Sequence, residues 1–253
     1  MRSPLDSGPL LELDEVDSTQ TVAAAILNGQ RGGPLPGVIL ARRQTQGKGR
    51  LDRKWVSGDG DSLTMSLLFL DYTGHSEPWL LGMAVACAAA GALHCRLRWP
   101  NDLVLDGRKL GGVLTELLSI GDIAGSSAGK HGQVPVVGIG VNLNQAAFEG
   151  ELADKAISLA MVRAARNAEN LARHYDPRSV ANQILDRIRS LPEPDSWRSL
   201  EPVWALFDDT PGKPYVLPDG REASAVRVGP DGRLICMVDG QVASVLAGEA
   251  ILC

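Results

Sequence analysis

The chain has 253 residues, 44% of them hydrophobic and 22% charged, and carries a net charge of -5 at pH 7. That length supports one substantial core, or a core with a small satellite. The acidic balance argues against a general nucleic-acid binder, which needs cations to neutralise phosphates, while leaving room for a local anion site.

Cys87, Cys95, Cys236 and Cys253 form neither a CxxC pair nor a zinc-ligand spacing. With no disulfide framework, a reducing cytoplasm is the expected compartment. The opening "MRSPLDSGPLLELDEVD" has no apolar signal segment, and no run reaches membrane-spanning length. Neither membrane association nor DNA binding is expected.

Leu10 to Val16 reads as a strand. Ser18 or Thr19 then caps a helix from about Gln20 to Asn28, which Gly29 ends. "VILARRQ" is a strand running into a basic stretch, and "SLTMSLLFL" is a second, mostly apolar one. Trp79 to Leu93, rich in alanine and leucine, is a buried helix laid on a sheet. "CRLRWPNDLVLDGRKLGGVLTELLSI" reads as two strands, an Asp106-Gly107 turn and a third strand. "GDIAGSSAGKHGQ" is a polar loop before the strand "VPVVGIGVNLN". Glu151 to Ser190 is largely helical, broken around "YDPRS" by Pro177, and Trp197 to Phe207 packs back on the core. From Pro211 onward, short strands alternate with Gly, Pro and Asp turns. The expected class is α+β, with a mainly antiparallel or mixed sheet packed with helices and a small C-terminal β-barrel. A doubly wound sheet fits less well, because hairpins outnumber strand-helix-strand crossovers.

Three segments carry candidate chemistry. In "RRQTQGKGRLDRKWVS", Gly47 and Gly49 open backbone N–H groups to an anion, and Lys48, Arg50 and Arg53 add charge beside Trp55. On charge pattern alone this also fits a solvated hairpin tip. It is not a P-loop, since no GxxxxGK[ST] is present. In "RWPNDLVLDGRKLGGVLTE", Asp102 and Lys109 lie close to Gly111 and Gly112, where a lysine neutralises a phosphate or carboxylate beside exposed backbone. "GIGVNLN" adds space at Gly138 and Gly140 and an amide at Asn142. Three glycine-opened segments favour one shared ligand site.

With these motifs in this order, the chain resembles the biotin protein ligases, the biotin–[acetyl-CoA-carboxylase] ligase family, in the form without an N-terminal helix-turn-helix domain. The resemblance rests on "DSTQ", "RRQTQGKGRLDRKWVS", "RWPNDLVLDGRKLGGVLTE" and "VGIGVNLN" and extends over nearly the whole chain. It implies a catalytic unit over 1–207, similar to class II aminoacyl-tRNA synthetases, and an SH3-like β-barrel over 208–253. It also implies an activity: biotin and ATP, with Mg2+, give biotinyl-5'-AMP, and the biotinyl group passes to a lysine of a biotin carboxyl carrier domain. Monomers and homodimers both occur in the family.

By this resemblance Ser18, Thr19, Gln44, Gly47, Lys48, Lys109, Gly112 and Gly138 lie around biotin. Gly49, Arg50, Arg53, Trp55 and Asn142 lie around the nucleotide, and Lys109, Asp102, Arg50 and Arg53 take part in the chemistry. No metal ligand is assigned. The sequence departs from the family pattern at Lys48 and Asp52 in the loop, at Gln20, and in the tail "LAGEAILC". The alternatives are a lipoate- or octanoate-handling ligase or transferase of the same fold, and a catalytically impaired protein that retains biotin or its adenylate.

Overall fold

The computed structural model describes residues 1–29, 33–51, 53–120, 132–166, 174–217 and 219–247, and the backbone of 251–252. Most of the polar loop read at "GDIAGSSAGKHGQ", the departure at Asp52 and most of the tail "LAGEAILC" lie outside these residues.

A short helix α1 (Pro4–Ser7) precedes strand β1 (Leu10–Val16), helix α2 (Thr19–Leu27) and strand β2 (Val38–Gln44). Two-residue strands β3 (Gly47–Lys48) and β4 (Lys54–Trp55) make a separate hairpin before β5 (Ser62–Leu68). Helix α3 (Trp79–Leu93) leads into β6 (Arg96–Arg98), β7 (Asp102–Leu105), β8 (Arg108–Ser119) and β9 (Gln133–Asn142). Three helices follow, α4 (Leu159–Arg166), α5 (Pro177–Arg189) and α6 (Trp197–Phe207). The tail holds β10 (Pro214–Val216), β11 (Glu222–Val228), β12 (Leu234–Val238), β13 (Gln241–Val245) and β14 (Ile251–Leu252).

Local chemistry explains most boundaries. The Ser18 side chain caps α2 by accepting from the Gln20 N–H, and Gly29 leaves the helix at φ 72°. Pro177 starts α5 rather than breaking it: its missing N–H costs nothing in the first turn, and Asp176 caps the Arg178 and Ser179 amides. The Asp106-Gly107 turn has φ of 50° and 76°, the doubly positive geometry that matches strand twist in a two-residue hairpin.

Among the described residues the large sheet runs β1-β2-β5-β9-β8-β7-β6. Only β1 and β2, joined through α2, pair in parallel; the other neighbours are antiparallel. One face is sealed by α3, whose alanines pack with Leu63, Met65, Leu67, Val137, Ile139, Val141 and Val113 in the main core. The other face meets α2, where Val22, Ala23, Ile26 and Leu27 pack on Ile39, Leu68, Val134 and Val136.

The C-terminal strands form a second sheet ordered β13-β12-β11-β10-β14. This corrects the expectation of an SH3-like barrel. Closure requires the two outermost strands to pair, and β13 and β14 stand at opposite edges of an open sheet. Closure is also unnecessary here. The apolar face of this sheet, including Tyr215, Ala225, Leu234 and Cys236, shares the core that holds Trp99 and α3. Trp99 is the joint: its N–H donates to Thr210 Oγ1 at 2.9 Å and its indole N–H to the Gly232 carbonyl at 2.9 Å. The Tyr215 hydroxyl donates to the Trp99 carbonyl at 2.7 Å, and the two rings meet edge to face at 5.9 Å.

Tyr215→Phe is expected to leave that buried carbonyl without its donor and to cost about 1–2 kcal/mol. Urea unfolding measures this, and an unchanged midpoint would show that the hydroxyl does not hold the second sheet in place.

Candidate active site

Side chains paired directly across antiparallel strands share a face. The register links Thr64 to Gly140, Gly140 to Gly112 and Gly112 to Asp102, with Ser66 opposite Gly138 and Ser62 opposite Asn142 one row to either side. All these residues therefore lie on the face that α2 covers in part. Along β9 that face reads Val134, Val136, Gly138, Gly140, Asn142. The valines lie under the helix; the glycines carry no side chain and leave a trough beyond its N-terminus.

The trough is bounded at one end by a buried polar cluster. The Thr19 N–H donates to Gln44 Oε1 at 2.8 Å, and the Thr19 hydroxyl approaches the same oxygen at 3.1 Å. Ser66 Oγ lies 2.8 Å from Thr19 Oγ1 and 3.2 Å from Gln20 Oε1, while Gln20 Nε2 donates to the Leu114 carbonyl at 3.3 Å. Ser57 Oγ accepts from the Gln44 N–H at 3.2 Å. The two hydroxyls of Thr19 and Ser66 hold two hydrogens between them for three oxygen–oxygen contacts. When Ser66 donates to Thr19 the Gln20 oxygen is left free to accept, while Gln44 Oε1 keeps the Thr19 N–H in every arrangement.

At the other end stand the charges. Lys109 Nζ donates to Asp102 Oδ1 at 2.5 Å, with side chains 42% and 24% exposed. Strict alternation would put Lys109 on the opposite face from Gly112. A register shift between Leu103 and Val104 instead sets Lys109 against Val104, two residues along from Asp102, so it returns to the trough. Gly112 keeps this side open: a Cβ there would have nothing nearer than 3.6 Å, with the Lys109 ammonium among its neighbours.

The glycine-rich stretch is a hairpin over the trough. Gly47 pairs with Trp55, and a Cβ at Gly47 would lie 2.4 Å from the Trp55 carbonyl and 2.9 Å from Gln44 Nε2. The Trp55 indole rests on Gly140, where a Cβ would come within 2.6 Å of the ring. Gly49 donates to the Arg53 carbonyl at 2.7 Å, tightening the turn. Arg50 points inward, donating to Asn101 Oδ1 at 3.2 Å and to the carbonyl of Ala247, just past β13. Burial lowers its pKa, as does nearby Arg53, whereas the Asp102 charge raises it.

The structure thus brings together Ser18, Thr19, Gln44, Gly47, Gly138 and Trp55 around one end of the trough, and Gly112, Asp102, Lys109 and Arg50 around the other. Lys48, on β3, and Arg53 are exposed and stand apart from the cluster. Asn142 is on the correct face, yet its amide is spent inside the protein on the Ile157 carbonyl at 3.1 Å. Sequence reading missed Ser66, Thr64 and Ser57. The signal for the first two was present: in "SLTMSLL", Ser62, Thr64 and Ser66 alternate with apolar residues and mark a polar strand face.

A model of the biotin/lipoate A/B protein ligase family matches residues 13–132, a span holding the polar cluster, the hairpin and the Asp102–Lys109 pair. A biotin protein ligase from Aquifex aeolicus, solved with biotin and ATP, superposes with a TM-score of 0.70 at 26% identity, covering 96% of this chain and 98% of that one. Over that span the chain is similar to the biotin/lipoate A/B protein ligase family. The biotin–[acetyl-CoA-carboxylase] ligase of Mycobacterium tuberculosis is 27% identical over 99% of this chain and 97% of its own length. The bifunctional ligase/repressor BirA of Bacillus spizizenii is 33% identical over 158 residues, and the chain spans 46% of that relative's length.

Among the described residues no thiol stands at the trough. Cys87 and Cys95 are buried in the core, and burial pushes the Cys95 thiol up to about 12. Among the described residues no group of three or more His, Cys, Asp or Glu side chains forms a metal site. Nor is any described helix long and apolar enough to cross a membrane.

Gly140→Ala is expected to displace the Trp55 indole while leaving the sheet folded, because the clash falls on a side chain and not on a neighbouring strand. The indole N–H resonance of Trp55, assigned through Trp55→Phe, should shift; an unmoved resonance would mean the ring does not rest on Gly140 in solution.

Proposed function

We propose that this chain is an ATP-dependent biotin–protein ligase. The observation that carries the reading is the trough itself, with a buried cluster of hydroxyls and carboxamides at one end and a lysine–carboxylate pair at the other. Biotin matches both ends: its ureido ring brings N–H donors and a carbonyl, and its valeryl chain ends in a carboxylate.

A carboxylate resists amine attack because its leaving group would be oxide. In the first half-reaction the biotin carboxylate oxygen bonds to the α-phosphorus of ATP, and the bond to pyrophosphate breaks. Lys109 and Arg50 neutralise charge building on the phosphoryl oxygens more than charge already present on free ATP. Magnesium bound with the nucleotide would add charge neutralisation, and no residue of this chain is assigned to hold it. In the second half-reaction a lysine amine of a biotin carboxyl carrier domain attacks the acyl carbon. The new bond is C–N, the bond to AMP breaks, and a proton leaves the nitrogen. Asp102 sits where it can hold that amine.

The ion pair gives these steps an order. The Lys109 ammonium donates to Asp102 Oδ1. An anion in the trough draws the ammonium away and frees the carboxylate for the incoming amine. A partly exposed pair is worth only about 0–1 kcal/mol, so the exchange is cheap.

The hairpin of Gly47, Lys48, Gly49, Arg50, Arg53 and Trp55 covers the adenylate and limits hydrolysis. Ser18, Thr19, Gln44 and Gly138 border the biotin ring, and Asn142 borders the nucleotide. We place the catalytic unit at 1–207 and a separate C-terminal unit at 208–253, a division supported by the two sheets. A cytoplasmic location is supported by the free, buried thiols of Cys87, Cys95 and Cys236.

A lipoate or octanoate ligase is disfavoured by the polarity of the cluster, since a dithiolane or alkyl chain has no N–H or carbonyl to pair with its hydroxyls and carboxamides. The deciding experiment is ATP–pyrophosphate exchange with biotin, lipoate or octanoate as the acid. Exchange with biotin alone is expected; exchange with lipoate alone would reassign the substrate, and none with any acid would leave only a binding protein.

Two variants follow. Lys109→Ala should slow adenylate formation about 100-fold, the scale of losing one donor to a developing oxyanion, while biotin affinity changes less. Stopped-flow pyrophosphate release at the wild-type rate would remove Lys109 from the chemistry. Ser66→Ala should raise the KM for biotin with little change in kcat, about tenfold for roughly one hydrogen bond. A change confined to kcat would put Ser66 elsewhere in the mechanism.

A further inference from the structure

Asn101 lies between the hairpin and the ion pair, and the assignment of its amide is fixed by its neighbours. The Val113 carbonyl is only an acceptor, so the nitrogen that donates to it at 2.7 Å must be Nδ2. Oδ1 is thereby turned to the other side, where it accepts from Arg50 Nη1 at 3.2 Å. The backbone repeats the tie, since the Val113 N–H donates to the Asn101 carbonyl at 2.9 Å. The residue is thus anchored twice to β8, one position beyond Gly112, and offers a single oriented acceptor to the guanidinium.

We propose that Asn101 is a positioning residue that seats Arg50 beside the Asp102–Lys109 pair, so that the basic hairpin closes in register with the acyl-transfer site. The geometry makes this specific. Arg50 spends one nitrogen on Asn101 and another on the carbonyl of Ala247, just past β13. A guanidinium has five donors, so these bonds fix its plane and leave others for a phosphate. Without Asn101 the guanidinium keeps one tether and can swing about it. A fork free to rotate loses the preorganisation that distinguishes the transition state from the bound reactants. This inference rests on the ligase reading above, with Asn101 acting through Arg50 and not on the reacting atoms.

The test uses the full chain with Asn101→Ala, Asn101→Asp, Arg50→Ala and the double variant Asn101→Ala/Arg50→Ala. Biotin affinity is expected to change less than about twofold in Asn101→Ala, because the polar cluster is untouched, while adenylate formation falls about tenfold, the scale of one hydrogen bond to a charged group. The two substitutions should not multiply: in the Asn101→Ala background, Arg50→Ala should cost less than about threefold further. Multiplicative losses, or a parallel fall in biotin affinity and rate, would overturn the proposal. Asn101→Asp separates the two bonds, for it keeps an acceptor for Arg50 but cannot donate to Val113. It should lose stability yet retain most of the rate. It therefore carries the test if Asn101→Ala fails to fold, and a rate as low as that of Arg50→Ala would sink the idea.

A readout independent of activity is amide exchange at Gly49 and Arg53, whose N–H groups bond within the turn at 2.7 and 3.2 Å. Asn101→Ala should reduce their protection several-fold; unchanged protection would contradict the seating role. If the wild-type chain shows no acid-dependent exchange of pyrophosphate, the ligase reading fails, and the amide measurement still decides whether Asn101 seats the hairpin.

Discussion

The site depends on a single constraint: a ligand can lie along a sheet only where the side chains on that face have been removed. Strand β9 meets it by changing composition halfway. Its valines pack under α2, and its glycines take over where the helix begins. The opposite face stays apolar throughout and is sealed by α3, so the sheet does not lose its core to make room. Gly111 shows how tight the frame is, because a Cβ there would strike the Gly140 carbonyl at 2.4 Å. The trough and its support are one piece of backbone, and rigid positioning of a reactive acid follows from that.

The charges fall into two classes. Arg98 and Asp209, 11% and 27% exposed, lie 2.7 Å apart and help fasten the segment that enters the second sheet. Burial acts to raise the Asp209 pKa, but its hydrogen bonds from Arg98 and Lys213 outweigh that and hold it below the usual carboxylate range. Such a pair is costly to disturb, since removing either partner strands the other away from water. The Lys109–Asp102 pair is more open and correspondingly weak. A weak pair holds a lysine in place yet yields it to a better anion. Stability and reactivity are thus assigned to different ion pairs on neighbouring strands.

Much of this was legible in the sequence because it is local. Ser18 as a cap, Asp106-Gly107 as a turn, the alanine-rich helix and the glycines of "GIGVN" each follow from chemistry within a few residues. What escaped depends on pairing. Thr64 and Ser66 sit in a strand whose composition reads as apolar, and their role emerges only when the register sets them beside two glycines. Asp102 and Lys109 were expected to face one cleft, but the bulge that turns Lys109 toward Asp102 was not foreseen, and alternation alone would turn it away. The second sheet failed most plainly: its strands read as a barrel, but its apolar face, Tyr215 included, packs in one core with Trp99, 116 residues from Tyr215 in sequence. Strand propensity gives no hint of what will lie against a strand.

Arg50 meets the C-terminal segment at a main-chain oxygen, that of Ala247, just past β13. A carbonyl is common to every amino acid, so this anchorage is indifferent to which side chain occupies the position. What the link constrains is the route of the chain and not the letter at that point.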